Sequence, residues 1–143
     1  MHKKDQGKLG EALVIAECLR QSVEVFVDFG DNSRVDLILN TNEGLIKVQV
    51  KCLSRDSKDP SSISLNLYKN GPGYSYRYTS TDIDYFAVVD LKTSRIAWLK
   101  VTDDLCNKYQ LKFRLDDHRW PGKRNTFEEL EQFPFLSINN TGP

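Results

Sequence analysis

The stretch from Arg34 to Cys52 constrains this chain more than any other. Two runs that alternate apolar and polar residues, Arg34–Asn40 and Leu45–Cys52, flank the four residues Thr41-Asn42-Glu43-Gly44. Alternation at period two predicts half-buried strands, and a short polar connection containing glycine predicts that they form a hairpin. Symmetric pairing across the connection sets Asn40 against Leu45 and Asp36 against Gln49. One face then holds Val35, Leu37 and Leu39 with Ile46, Val48 and Val50; the other holds Arg34, Asp36, Lys47, Gln49 and Lys51. A slip of one residue would turn the whole apolar set away from the core, so the pattern itself specifies the register. Polar hairpin faces usually do no more than meet water, and the hairpin alone leaves that reading open.

The segment before it adds a second constraint. Lys8 to Gln21 reads as a helix of good helix formers with apolar residues around most of its circumference, which predicts that it is largely buried. At about 100° per residue, Gly10, Glu17 and Gln21 form its polar edge, and Glu11 falls roughly opposite among Val14, Ile15 and Cys18. An inward carboxylate needs a partner, because removing it from water costs several kcal/mol. That partner is either a cation in a site or a salt bridge to Arg34, Lys47 or Lys51. A strand at Glu24–Phe29 and a turn at Gly30-Asp31-Asn32-Ser33 link helix and hairpin.

Beyond the hairpin, Ser54–Ser62 reads as a loop and Ile63–Leu67 as a strand. A turn at Asn70-Gly71-Pro72-Gly73 precedes the alternating strand Tyr74–Tyr78. Tyr85–Val89 and Ile96–Leu99 form two more strands about Lys92-Thr93-Ser94, the first apolar enough to be central. Thr126-Phe127-Glu128-Glu129 has capping-box spacing for a short helix that Pro134 would end. With 143 residues, this is one α/β domain with a mixed sheet, the first helix packed on it, and β-rich insertions.

Composition excludes several classes. Basic and acidic residues balance to a net charge of +0, so no large positive field coats nucleic acid; a basic surface would have to be local, as at Lys108, Lys112, Arg114, Arg119, Lys123 and Arg124. Cys18, Cys52 and Cys106 show no metal-ligand or disulfide spacing and read as reduced thiols of a cytoplasmic protein. No apolar run is long enough to span a bilayer. His2 and His118 stand outside any metal-binding spacing, which disfavours histidine-based nuclease or hydrolase chemistry.

Gly10-Glu11 on the helix, Arg34-Val35-Asp36-Leu37 on one strand, Gln49-Val50-Lys51 on the next and the run from Asp82 to Val88 together resemble the PD-(D/E)XK nucleases. The order and spacing are similar to the Holliday-junction-resolvase branch and, more closely, to group I intron homing endonucleases of this fold. Two departures stand out: Val35 occupies the proline position, and Gln49 stands where the second acid belongs. The resemblance covers about residues 7–101 and implies a restriction-endonuclease-like catalytic core there, an extension over about 102–143 for DNA binding or oligomerisation, and site-specific double-strand DNA cleavage that leaves 5′-phosphate and 3′-hydroxyl ends. It assigns Glu11, Asp36, Gln49 and Lys51 as catalytic. Glu11, Asp36, the Gln49 amide oxygen and the Val50 carbonyl would bind Mg²⁺, with Mn²⁺ able to substitute and Ca²⁺ supporting binding without cleavage. DNA contacts are expected from Lys3, Lys4, Lys8, Tyr74, Tyr76, Arg77, Arg114, Arg119, Lys123 and Arg124. Cutting both strands implies a homo-oligomer, a dimer or a tetramer. The alternatives are a resolvase-like or restriction-like nuclease, and a DNA-binding module in which Gln49 marks a decayed site.

Overall fold

The computed structural model describes residues 1–28, 34–115 and 126–138, with side chains at 69–71 also left aside. The turn expected at Gly30-Asp31-Asn32-Ser33 and the residues His118, Arg119, Trp120, Lys123 and Arg124 lie outside the described residues. In chain order the elements are α1 (Lys3–Arg20), β1 (Glu24–Val27), β2 (Leu37–Thr41), β3 (Gly44–Leu53), β4 (Ser62–Asn66), β5 (Tyr68–Gly71) and β6 (Tyr74–Arg77). They continue as β7 (Tyr85–Asp90), β8 (Ile96–Lys100), α2 (Asp103–Cys106) and β9 (Gln110–Arg114), ending in a 3-10 turn at Glu128–Leu130. The helix starts five residues before the expected Lys8, because His2 accepts the Lys4 N–H through Nδ1 and caps it.

The main sheet has the order β1-β2-β3-β7-β8. Its neighbours run antiparallel except β3 and β7, which are parallel. The expected hairpin is β2–β3, and Asn40 does face Leu45. β7 is central and apolar on both sides, as its sequence predicts: Phe86 and Val88 join one core, Ala87 and Val89 the other. The first core lies under β4, β6, β9 and α2, the second under α1 and the segment carrying Phe133 and Phe135.

Several expectations are corrected. The helix buries only a narrow stripe, Gly10, Val14 and Cys18, while Leu19 is 63% exposed. Gly10 therefore lies on the inward face and not on the polar edge. A Cβ built there would stand 2.6 Å from Cys52 Cβ, so glycine is what lets the helix backbone rest on β3. Val35 does not share a face with Leu37 and Leu39: it packs into the core across the sheet. Two strands went unread, β5 and β9, and in β9 the buried Leu111 and Phe113 alternate with the charges that drew attention. The expected C-terminal helix is a single 3-10 turn, since Phe127 is drawn fully into the core. Phe127, Phe133 and Phe135 pack on their own chain, Phe135 against Tyr85 and Trp98, so they are not held back for a subunit contact. Among the described residues no helix is long and apolar enough to cross a membrane.

The helix–β3 contact yields a paired test in urea unfolding. Gly7→Ala, with nothing within 4 Å of its built Cβ, should stabilise the protein by about 0.5–1 kcal/mol through helix propensity. Gly10→Ala gains the same propensity but must push helix from strand, at a cost of roughly 1–3 kcal/mol, and should come out destabilised. Equal effects at the two positions would refute the close packing.

Candidate active site

An antiparallel strand as long as β3 has more backbone groups than its partner β2 can satisfy. The β2–β3 ladder ends at Leu37–Val48, while β3 runs on to Leu53. In this register the amides and carbonyls of Val48, Val50 and Cys52 all point to the β2 side, so those of Val50 and Cys52 project past the end of β2. The chain deals with them individually. The Val50 N–H donates to Asp36 Oδ2 at 2.8 Å, and Gln6 Nε2 from the helix donates to the Cys52 carbonyl at 2.7 Å.

Asp36 can do this because the strand bulges. Its own N–H donates to the Val48 carbonyl at 2.9 Å, the residue already paired with Leu37. Two consecutive residues thus address one partner, the pattern of a β-bulge. The extra residue reverses the alternation and sends Val35 to the opposite core. It also moves Asp36 from its expected place directly opposite Gln49 to the open edge, beside Val50.

Gln49 and Lys51 extend from the sheet face away from α1, the side on which Leu53 packs. Gln49 lies alongside Phe86 in the ladder with β7. Its Oε1 is buried and has no hydrogen-bond partner among the described residues. A buried carbonyl oxygen left unpaired costs about 1–3 kcal/mol, so it marks a place prepared for a donor or a cation. Lys51 Nζ donates to the hydroxyl of Tyr78, 3.2 Å away. Tyr78 is itself buried. Burial first, and then the nearby Tyr76 and the negative charge of Asp36, push its phenol well above the usual tyrosine range, with Arg34 opposing. Tyr78 thus feels the Asp36 charge and accepts a hydrogen bond from Lys51.

Glu11 is half-buried and follows Gly10, whose backbone rests on Val50 and Cys52 of the strand edge. A groove of about 380 Å³ runs along it, lined by Lys3, Gln6 and Gly7 of α1 and by Val50 to Ser54. Among the described residues no three His, Cys, Asp or Glu side chains gather as a metal cluster. The donors available here are two carboxylates, one amide oxygen and one backbone carbonyl, an all-oxygen set suited to a hard divalent cation. The unpaired Gln49 oxygen fits that occupant.

The rest of the expected polar face is tied elsewhere. Arg34 pairs with Asp82 at 2.9 Å and stacks on Tyr76, and Lys47 donates to the Thr81 carbonyl at 2.7 Å. Of the expected DNA contacts, Lys3, Lys4 and Lys8 are exposed on the first turns of α1, and Tyr74 is half exposed with its ring stacked on Tyr76. Arg77 and Arg114 are held inside the fold: Arg77 stacks on Tyr109 and bonds the Cys106 carbonyl, and Arg114 pairs with Asp59 at 2.8 Å. The sequence reading missed Tyr78 and Gln6. Position i+2 from Tyr76 gave Tyr78 only an alternation signal, and nothing in the sequence pairs Gln6 with Cys52.

Comparison with known proteins adds the following. The model of the family described as PD-(D/E)XK endonuclease matches residues 1–136. Among solved structures, that of a bacterial homing endonuclease, I-Ssp6803I, superposes with a TM-score of 0.73 at 20% identity, covering 87% of this chain and 86% of that one. That likeness establishes a shared fold. No curated protein matches the sequence.

The unpaired Gln49 oxygen makes a prediction about stability. Gln49→Leu should stabilise the metal-free protein by about 1–3 kcal/mol, because it replaces an unsatisfied buried amide with an apolar side chain of similar size. The same substitution should abolish the rise in melting temperature on adding Mg²⁺ or Mn²⁺. Denaturation in EDTA and in metal checks both, and a destabilised Gln49→Leu would show that the oxygen is already satisfied.

Proposed function

The chain belongs to the PD-(D/E)XK endonuclease family, and from that premise we propose that it is a site-specific, homing-type double-strand DNA endonuclease working at the open end of β3. Enzymes of this family are metal-dependent nucleases. What supports this placement is that Asp36 accepts the N–H of Val50 where β2 stops, and that Val50 lies in sequence between Gln49, whose buried oxygen has no partner among the described residues, and Lys51. Asp36, Gln49 Oε1, the Val50 carbonyl and Glu11 are the groups that would hold Mg²⁺, with Mn²⁺ a substitute. Bound there, the cation supplies positive charge against a phosphate oxygen and lowers the pKa of an attacking water. Lys51 brings an ammonium to the same point, where it orients the water and offsets charge developing on the phosphorus oxygens. The 3′ oxygen departs, leaving a 5′-phosphate and a 3′-hydroxyl.

Asp36 has two tasks in this scheme. One oxygen accepts the Val50 N–H, which fixes the carboxylate against the strand, and the carboxylate would also be a ligand of the cation. Lys3 lines the groove, and with the exposed Lys4 and Lys8 on the first turns of α1 it suits phosphate contacts, while Tyr74 and Tyr76 offer rings from an extended ribbon. Arg77 and Arg114, being held by internal partners, are not assigned to DNA. The experiment that tests the function is incubation with Mg²⁺ and a library of long duplexes and four-way junctions. Cleavage of one duplex site supports the proposal, cutting of junctions alone means a resolvase, and binding without cleavage means a decayed site.

Two further outcomes are expected. Lys51→Met should abolish cleavage in Mg²⁺ while DNA affinity in Ca²⁺ stays near wild type, since the ammonium acts in the transition state. Parallel cleavage and gel-shift assays read this, and near-normal cutting by the variant would overturn the assignment. Because each chain carries a single candidate site, concerted cutting of two strands requires a homo-oligomer, a dimer or tetramer. Sedimentation should show one, and a monomer that makes concerted double-strand breaks would overturn it.

A further inference from the structure

A lysine side chain carries roughly 2 kcal/mol of rotamer entropy, so an ammonium that must act at one point needs something to hold it there. A neutral oxygen fixed in place holds it and leaves the charge intact. Tyr78 has these properties. Its hydroxyl stands 3.2 Å from Lys51 Nζ, and the ammonium lies 5.0 Å from the ring centre, nearer the oxygen than the face. The ring is 2% exposed and edge-on to Phe86 at 5.2 Å and to Tyr76 at 5.6 Å, while its backbone N–H is bonded to Leu67. The hydroxyl therefore has a defined position. Burial keeps it a neutral phenol.

We propose that Tyr78 is a positioning residue for the cleavage reaction, its phenolic oxygen holding the Lys51 ammonium at the open end of β3. The inference rests on the nuclease reading of the site. Packing alone does not require the oxygen: a phenylalanine would make the same ring contacts with Phe86 and Tyr76. The hydroxyl is the part of Tyr78 that reaches Lys51. Tyr78 directly follows β6, which carries the half-exposed Tyr74, so one stretch of chain both meets the expected DNA surface and holds the ammonium.

Tyr78→Phe tests this with two measurements on the full chain, after urea unfolding has shown that the variant is folded. The first is single-turnover cleavage in Mg²⁺ against DNA affinity in Ca²⁺. The rate should fall by roughly ten- to a hundredfold, the loss expected when a reacting group is misplaced by about an ångström, with affinity changed less than about twofold. The second measurement is brief labelling with an amine-reactive reagent, read by mass spectrometry at Lys51 relative to the exposed Lys100. Loss of the acceptor should raise Lys51 labelling several-fold. A wild-type rate in Tyr78→Phe overturns the proposal, as does a slower variant whose Lys51 labelling is unchanged, because that is what a purely structural tyrosine would give. A wild-type protein that cleaves nothing counts against the nuclease reading; the labelling then decides the hold by itself.

Discussion

The hydrogen bond from the Val50 amide to the Asp36 carboxylate is the contact on which the site depends. A strand whose partner ends early has to satisfy its remaining backbone groups or leave them to solvent. Here a carboxylate takes over from a missing strand, reaching its position because a bulge withdraws Asp36 from the ladder. That substitution fixes the acid against the backbone with one oxygen engaged. It also keeps the end of β3 open, since no further strand can pair while Asp36 occupies that edge. A few residues on, Gln6 does the same for the Cys52 carbonyl and ties the start of the helix to the edge.

Covering both faces of the sheet explains why the polar groups concentrate where they do. α1 and the C-terminal aromatics close one side, and the β4–β6 insertion with β9 closes the other. Polar side chains on the inner strands survive burial only where they find partners, so Lys47 donates to the loop before β7 while Lys51 is met by Tyr78. The segment after residue 101 belongs to this enclosure: β9, Phe127 and Phe135 complete the two cores. The Gln49 oxygen is the exception, buried and unpaired among the described residues. Such a group lowers the stability of the empty fold and gives binding energy to whatever fills the site, which is the usual exchange between stability and activity.

What the sequence determined by itself was the hairpin, its register and the position in the chain of Glu11, Asp36, Gln49 and Lys51. Period-two alternation over two adjacent runs admits one pairing, and local patterns of that kind survive folding because a slip would expose the whole apolar face. The central place of β7 was legible for the same reason. Tertiary structure decided everything that depends on departures from the pattern. The bulge that carries Val35 across the sheet and Asp36 to the edge changes no residue type, so the alternation reads as unbroken. Gly10 looked like part of a polar edge because a glycine has no side chain to show that its value lies in close approach. Arg77 reads as a candidate DNA contact and Tyr78, its neighbour in sequence, as no more than part of an alternation, yet Tyr78 meets Lys51 while Arg77 turns to Cys106 and Tyr109. Those partners lie 27 and 29 residues away for the two hydrogen bonds, and only the folded chain brings them together.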